Sequence, residues 1–193
     1  MTRELRERLI GSDKVFEGRL ISVRVDEVEL ADGTRARREV VEHPGAVAVV
    51  PLLEDGRVVM IRQYRHAAGK VLWELPAGLV EEGEEPEECA RRELGEEVGY
   101  EPGELIPLFS TFLSPGFSSE VIHIFLARDL RPVNVASEPD EQIEAVPVPL
   151  AEAVEMVRRG EVQNAAAICG LLALAERARS GGGTGCTGNR LNP

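Results

Sequence analysis

The chain has 193 residues, with 22 Lys and Arg against 34 Asp and Glu, a net charge of −12 and a pI near 4.8. This length predicts one domain, or one with a small appendage, and 43% apolar with 29% charged residues suits a soluble globule rather than a disordered chain. The acidity argues against nucleic acid or an anionic membrane as the main partner, since both need a basic patch. No apolar run reaches the roughly 18 residues of a membrane helix; the longest, Ala165 to Ala175, is broken by Gly170. The charged start MTRELRERLIGSDK lacks a signal-peptide stretch, and Cys89, Cys169 and Cys186 are too widely spaced for a disulfide framework or a zinc site. A cytoplasmic location is expected.

In chain order, VFEGRLISVRVDEVEL reads as a partly alternating strand run, Asp32-Gly33 as a hairpin turn and TRARREVVEH as the returning run. Residues 1–43 are therefore expected to form a small sheet, bounded by His43-Pro44-Gly45. AVAVVPLL reads as a buried strand, Glu54-Asp55-Gly56 as a tight turn and RVVMIRQYR as its antiparallel partner. A loop holding Gly78 and Gly83 then leads into a helix of about three turns, with Pro86 in its first turn and Gly99 as its stop. Ala90, Leu94 and Val98 form its apolar stripe, and Gly95 inside it has no evident reason. LIPLFSTFLS and VIHIFLARDL read as strands around the loop Ser114-Pro115-Gly116-Phe117-Ser118-Ser119-Glu120, followed by a polar, acidic connection. Leu150, Val154 and Val157 mark a helix ended by Gly160. Asn164 caps a last helix expected to turn Ile168, Leu171, Leu172 and Ala175 inward. The main domain is thus placed at 44–179, and the Gly-rich tail 180–193 is expected to be disordered.

The chemistry concentrates on the first helix. Glu93 and Glu97 lie four apart on one face, with Glu96 beside them, and residues 81–97 hold nine Glu against two Arg. Carboxylates gathered within one turn repel unless neutralised, and hard oxygen ligands select Mg²⁺, Mn²⁺ or Ca²⁺ over zinc or copper. Glu84, Glu88 or Glu96 can fix Arg92, and the loop glycines let the Ala77 carbonyl turn toward the same point. An acidic helix face is most often merely solvated. Here the pattern is longer.

Gly78, five residues, Glu84, seven residues, Arg92-Glu93-Leu94, one residue, Glu96-Glu97, one residue, Gly99-Tyr100 resembles the box of the Nudix hydrolases. Only Tyr100 departs from the strict pattern, which asks for an aliphatic residue at that packing position. The resemblance implies an α+β fold: a Nudix-type α/β/α sandwich around a mixed sheet, with a small N-terminal antiparallel β-sheet subdomain. It implies hydrolysis of a nucleoside diphosphate linked to a further group, with Mg²⁺ as cofactor and Mn²⁺ as the alternative. Glu93, Glu96, Glu97 and the Ala77 carbonyl would bind the metal, while Glu84 and Arg92 form an orienting ion pair. Pro115, fifteen residues beyond Tyr100, together with RREVVEH, QYRH, WELPAG and SPGFSSE, resembles the ADP-ribose pyrophosphatase branch.

Within that branch Arg38 and Glu39 would approach adenine from the partner of an exchanged homodimer, and Arg65 would contact phosphate. Glu74 would shape the pocket, and Gly116, Ser118 and Glu120 would line the terminal ribose end. The loop ASEPDEQIEAV offers Glu138, Asp140, Glu141 and Glu144 as general base, and the resemblance favours Glu141, with Glu97 as the catalytic carboxylate of the box. ADP-ribose is the expected substrate, with other nucleoside diphosphate sugars or dinucleotides as the runner-up. A non-catalytic ADP-ribose sensor fits less well, because Glu93, Glu96 and Glu97 are all kept and no basic recognition helix is present.

Overall fold

The structure, a computed structural model, describes residues 5–136 and 142–181. Three strands, β1 (Arg8–Glu17), β2 (Ser22–Glu29) and β3 (Arg35–Glu42), form an N-terminal antiparallel sheet in the order β1-β2-β3. The single run read from VFEGRLISVRVDEVEL is in fact divided. Gly18 donates its N–H to the Ile21 carbonyl at 2.9 Å, and this turn separates β1 from β2.

The next strands are β4 (Ala46–Pro51), β5 (Arg57–Arg65), β6 (Lys70–Glu74) and β7 (Ala77–Leu79). After helix α1 (Pro86–Val98) come β8 (Tyr100–Phe112), β9 (Val121–Pro132) and β10 (Ile143–Pro149). Helices α2 (Leu150–Arg158) and α3 (Ala165–Gly181) close the described chain. A mixed sheet runs β7-β4-β9-β8, with β4 and β9 parallel, and an antiparallel sheet runs β10-β5-β6. The α+β class expected from the sequence is what is observed.

β5 is not the ladder partner of β4, contrary to the sequence reading. The turn at Glu54-Asp55-Gly56 does reverse the chain, but only one isolated bridge, Leu52 to Val58, follows it. Both edges of β4 are already taken by β7 and β9, so β5 pairs with β6 and β10 instead.

β4 decides the layering, because every one of its residues is buried. Ala46, Ala48 and Val50 pack with Ile122, Ile124 and Leu126 of β9 against a cluster that includes Leu171 and Leu174 of α3. Val47 and Val49 face the other way, onto Cys89, Ala90 and Leu94 of α1. A strand buried on both faces must be apolar at successive positions, which is how AVAVVP reads. One helix layer therefore lies on each side of the mixed sheet.

The expected punctuation of the helices appears in the structure. Gly99 ends α1 in the left-handed conformation at φ 71°, which favours glycine. Asn164 accepts the Ala167 N–H at 2.9 Å at the start of α3. Leu172 of α3, expected inside, is 44% exposed, and Leu174 takes the inward position at 5%. An added Cβ at Gly95 would make only ordinary contact with Val135 at 3.4 Å, so close packing does not explain that glycine. Among the described residues no helix is long and apolar enough to cross a membrane. The expected tail lies outside the described residues from 182 onward.

Candidate active site

Position on the fold brings the box together. β7 pairs antiparallel with β4 at Ala46 to Ala48, so the chain leaves β7 at the end of the mixed sheet where β9 begins. From there it turns back into α1, which lies over β4 and β7. Glu85 and Glu88 close the helix start, the Glu88 carboxylate accepting the Glu85 N–H at 3.4 Å.

Glu93 is seated directly on β7. A Cβ built on Gly78 would lie 1.9 Å from the Glu93 Cδ and Oε1 atoms, so only glycine leaves room for this carboxylate. Glu97, one turn on, accepts the Ala77 N–H at 2.8 Å. The Ala77 amide thus holds one of the helix carboxylates in place.

Arg92 gathers the remaining carboxylates. Its Nε and Nη2 donate to the two oxygens of Glu84 at 2.9 and 3.0 Å, a fork-to-fork pair. Its Nη1 donates to Glu93 Oε1 at 2.6 Å and to Glu96 Oε2 at 3.1 Å. Glu84 is also held by the Glu81 N–H at 3.0 Å. The Arg92 guanidinium is raised above its ordinary pKa, first by Glu84, and Arg92 in turn holds the Glu84 carboxyl down to about 2. Beneath them the buried Cys89 thiol donates to the Leu79 carbonyl at 3.2 Å, and burial pushes its pKa up to about 12.

The Glu84 shift has a consequence for acid stability. Its folded pKa of about 2 lies below the ordinary 4.5, so the stabilisation is complete above pH 4.5 and is lost as pH falls toward 2. Between pH 6 and 3 the wild-type chain is therefore expected to lose more thermal stability than Glu84→Gln. Circular dichroism melts check this; equal losses in both proteins contradict the pairing.

The other predicted residues form separate groups. Arg65 donates through Nη2 to Glu74 Oε2 at 2.7 Å and through Nε to Oε1 at 3.1 Å. Glu74 is 1% exposed. On β3, Arg38 lies opposite Asp26 and Glu39 opposite Val25, so the two side chains leave opposite faces of the strand. Arg38 is forked onto Glu7 at 2.6 and 3.1 Å.

The loop 114–120 is strapped to β3. Val41 donates to the Phe117 carbonyl at 2.7 Å, Ser119 donates to the Val41 carbonyl at 2.9 Å, and His43 donates to Ser119 Oγ at 3.1 Å. Inside the loop, Ser118 Oγ accepts the Glu120 N–H at 3.2 Å, and Gly116 has open space around its Cα.

Glu141 lies outside the described residues, with Glu138 and Asp140. Glu144, read as part of the same loop, belongs to strand β10 and pairs with Arg62 at 2.8 Å.

Two residues beside the predicted site residues were not singled out by the sequence. Ser119 is one, and nothing local marks it, because its partner His43 is 76 residues away. Gln63 is the other: it is 8% exposed, two residues before Arg65, and its amide oxygen has no partner among the described residues. A polar side chain in line with the inward Val59 and Ile61 was the available signal.

Among the described residues no three acidic, His or Cys side chains already converge into an ion cage. The carboxylates rest on Arg92 and the Ala77 amide instead. The donor set nonetheless fits a hard divalent cation, being made of oxygens only, within one helical turn. The Gly78 cradle that a Cβ would fill fixes where Glu93 offers its oxygens.

Residues 24–168 match the NUDIX domain model. The chain is 39% identical over 165 residues to an ADP-ribose pyrophosphatase of Bacillus subtilis, covering 84% of this chain and 89% of that protein. It is 42% identical over 168 residues to an ADP-ribose pyrophosphatase of Mycobacterium tuberculosis, covering 86% and 81%. A solved structure described as an ADP compounds hydrolase superposes with a TM-score of 0.83 at 26% identity, covering 94% of this chain and 99% of that one. With a family model spanning most of its length and relatives at 39% and 42% identity, the chain belongs to the Nudix hydrolases, a family that generally needs a divalent metal.

Proposed function

We propose that the chain hydrolyses the pyrophosphate bond of ADP-ribose to AMP and ribose 5-phosphate, with Mg²⁺ as its metal and Mn²⁺ as a substitute. The observation that carries this reading is the Glu93 carboxylate seated on Gly78 beside an Arg92 that gathers Glu84 and Glu96. The likeness to two proteins named ADP-ribose pyrophosphatase supplies the substrate.

Glu93, Glu96 and Glu97 would hold the cation together with the Ala77 carbonyl, and Glu84 fixes Arg92 so that the cluster keeps its shape. The bound cation supplies Lewis-acid polarisation of the diphosphate. Arg65 binds phosphate, which a protein of charge −12 would otherwise repel. Glu141 takes the proton of the attacking water, with Glu97 as its partner carboxylate on the helix. Gly116, Ser118 and Glu120 line the terminal ribose end, on a loop steadied by β3.

A homodimer is part of the proposal. β1 exposes Leu9, Val15 and Phe16 at 55%, 60% and 54%, more apolar surface than an edge strand ordinarily leaves to water. A hollow of about 330 Å³ lined by Ser12, Asp13, Val15, Val25 and Arg37 lies on the same sheet. Arg38 and Glu39, which leave opposite faces of β3, approach adenine from the partner subunit. Residues 1–43 then act as the dimer-forming subdomain and 44–179 as the hydrolase domain, in the cytoplasm.

The test is a substrate panel with released nucleotide quantified by chromatography. ADP-ribose is expected to give equimolar AMP and ribose 5-phosphate well ahead of GDP-mannose and dinucleotides. Comparable turnover of GDP-mannose would defeat the narrow substrate reading while leaving the hydrolase intact.

A further inference from the structure

We propose that Glu74 never touches the ligand and is instead a positioning residue: buried at the end of β6, it grips Arg65 with both oxygens and fixes the guanidinium for a diphosphate. This rests on the reading of the site as a pyrophosphatase and adds to it how Arg65 is oriented.

Three observations carry it. Glu74 is 1% exposed whereas the Arg65 side chain is 41% exposed, so Glu74 is the anchor and Arg65 the arm. The contact uses two different nitrogens, Nη2 at 2.7 Å and Nε at 3.1 Å, which sets the plane of the guanidinium as well as its place. The anchor is also tied to the box: Glu74 precedes Ala77 by three residues, and the Ala77 N–H holds Glu97 at 2.8 Å.

Gln63 adds an independent sign that this wall faces a ligand. It lies two residues before Arg65 on β5, opposite Leu72 on the neighbouring strand, as Ile61 lies opposite Glu74. Side chains paired in this way share one face of the sheet, and Gln63 keeps a buried amide oxygen without a partner there. A buried acceptor of this kind is costly unless water or a ligand donor reaches it.

A lone buried carboxylate is strongly unfavourable, so Arg65→Met by itself is a poor variant. The experiment therefore compares wild type, Glu74→Gln and the double variant Arg65→Met/Glu74→Gln as full chains with Mg²⁺. Two readings are taken on each: the dissociation constant for inorganic pyrophosphate by calorimetry, and KM and kcat for ADP-ribose. Melting temperatures establish that each is folded.

Glu74→Gln is expected to weaken pyrophosphate binding roughly tenfold, the loss typical of an outer partner of a binding group. The double variant is expected to lose little more, with the ADP-ribose effect falling on KM rather than kcat. Glu74→Gln binding like wild type while the double variant loses tenfold or more would overturn the proposal. So would a wild-type chain that does not bind pyrophosphate at all. If ADP-ribose is not turned over but pyrophosphate binds, the substrate reading fails alone, and the binding comparison still decides the role of Glu74.

Discussion

Glu93→Gln is expected to lower kcat for ADP-ribose by a hundredfold or more while leaving the fold intact. Loss of an outer partner of a metal ligand typically costs about 10- to 100-fold, and losing a charged ligand itself costs at least as much. The fold should tolerate the change for a local reason. Glutamine keeps an oxygen that can accept from Arg92, which stays forked onto Glu84 at 2.9 and 3.0 Å. It also removes one of three negative charges crowded within a turn, so stability is expected to move by about 1 kcal/mol or less. Steady-state kinetics beside a thermal melt check both halves. Unchanged turnover would mean that the helix carboxylates are not the metal site.

Gly78→Ala is expected to produce a similar loss of activity by displacement, with no charge removed. The new Cβ would lie 1.9 Å from Glu93 Cδ, a distance no side chain can keep, so the carboxylate must swing away. A misplacement of about 1 Å at a reacting centre can cost on the order of 10²-fold in rate. The stability cost is expected to be small, about 1 kcal/mol, because the obstructed atoms are the far end of a side chain that can change rotamer. Gly78 has an ordinary negative-φ backbone, so alanine is not strained there. A large activity loss with a nearly unchanged melting temperature separates this account from general destabilisation. Near wild-type turnover would show that Glu93 does not need its seat.

These two residues were legible because the relevant geometry is local. Helical periodicity places Glu93, Glu96 and Glu97 on one face, and Gly78 with Glu84 flanks that helix at fixed spacing. Pro86 and Gly99 gave the helix ends, and the continuous apolar run at 46–50 gave the buried strand. The pairing of that strand was not legible, since a tight turn ordinarily signals a hairpin. Only the occupied edges of β4 explain why β5 joins another sheet. β6, β7 and β10 passed unread for related reasons. β7 is three residues of Ala-Gly-Leu, and β10 carries Pro147 and Pro149 in a stretch that reads as a loop.

What the sequence could least reveal is which charges meet. Arg38 and Glu39 are neighbours in sequence and part to opposite faces, whereas Arg65 and Glu74 are nine residues apart and form one unit. Arg92 had several acidic candidates, and the fold chose Glu84, Glu93 and Glu96 while Glu88 turned back to the helix start. The strap between β3 and the loop 114–120 joins segments some 76 residues apart, beyond any local pattern. Selection of partners by tertiary packing is the common cause in each case.

The most direct test of the central claim is AMP release from ADP-ribose by the metal-stripped wild-type chain as Mg²⁺ is titrated back. No release is expected without the cation, then saturating recovery of AMP and ribose 5-phosphate in equal amounts, with Glu93→Gln failing to recover over the same range. Full activity after stripping, or no AMP at any Mg²⁺ or Mn²⁺ concentration, would contradict it.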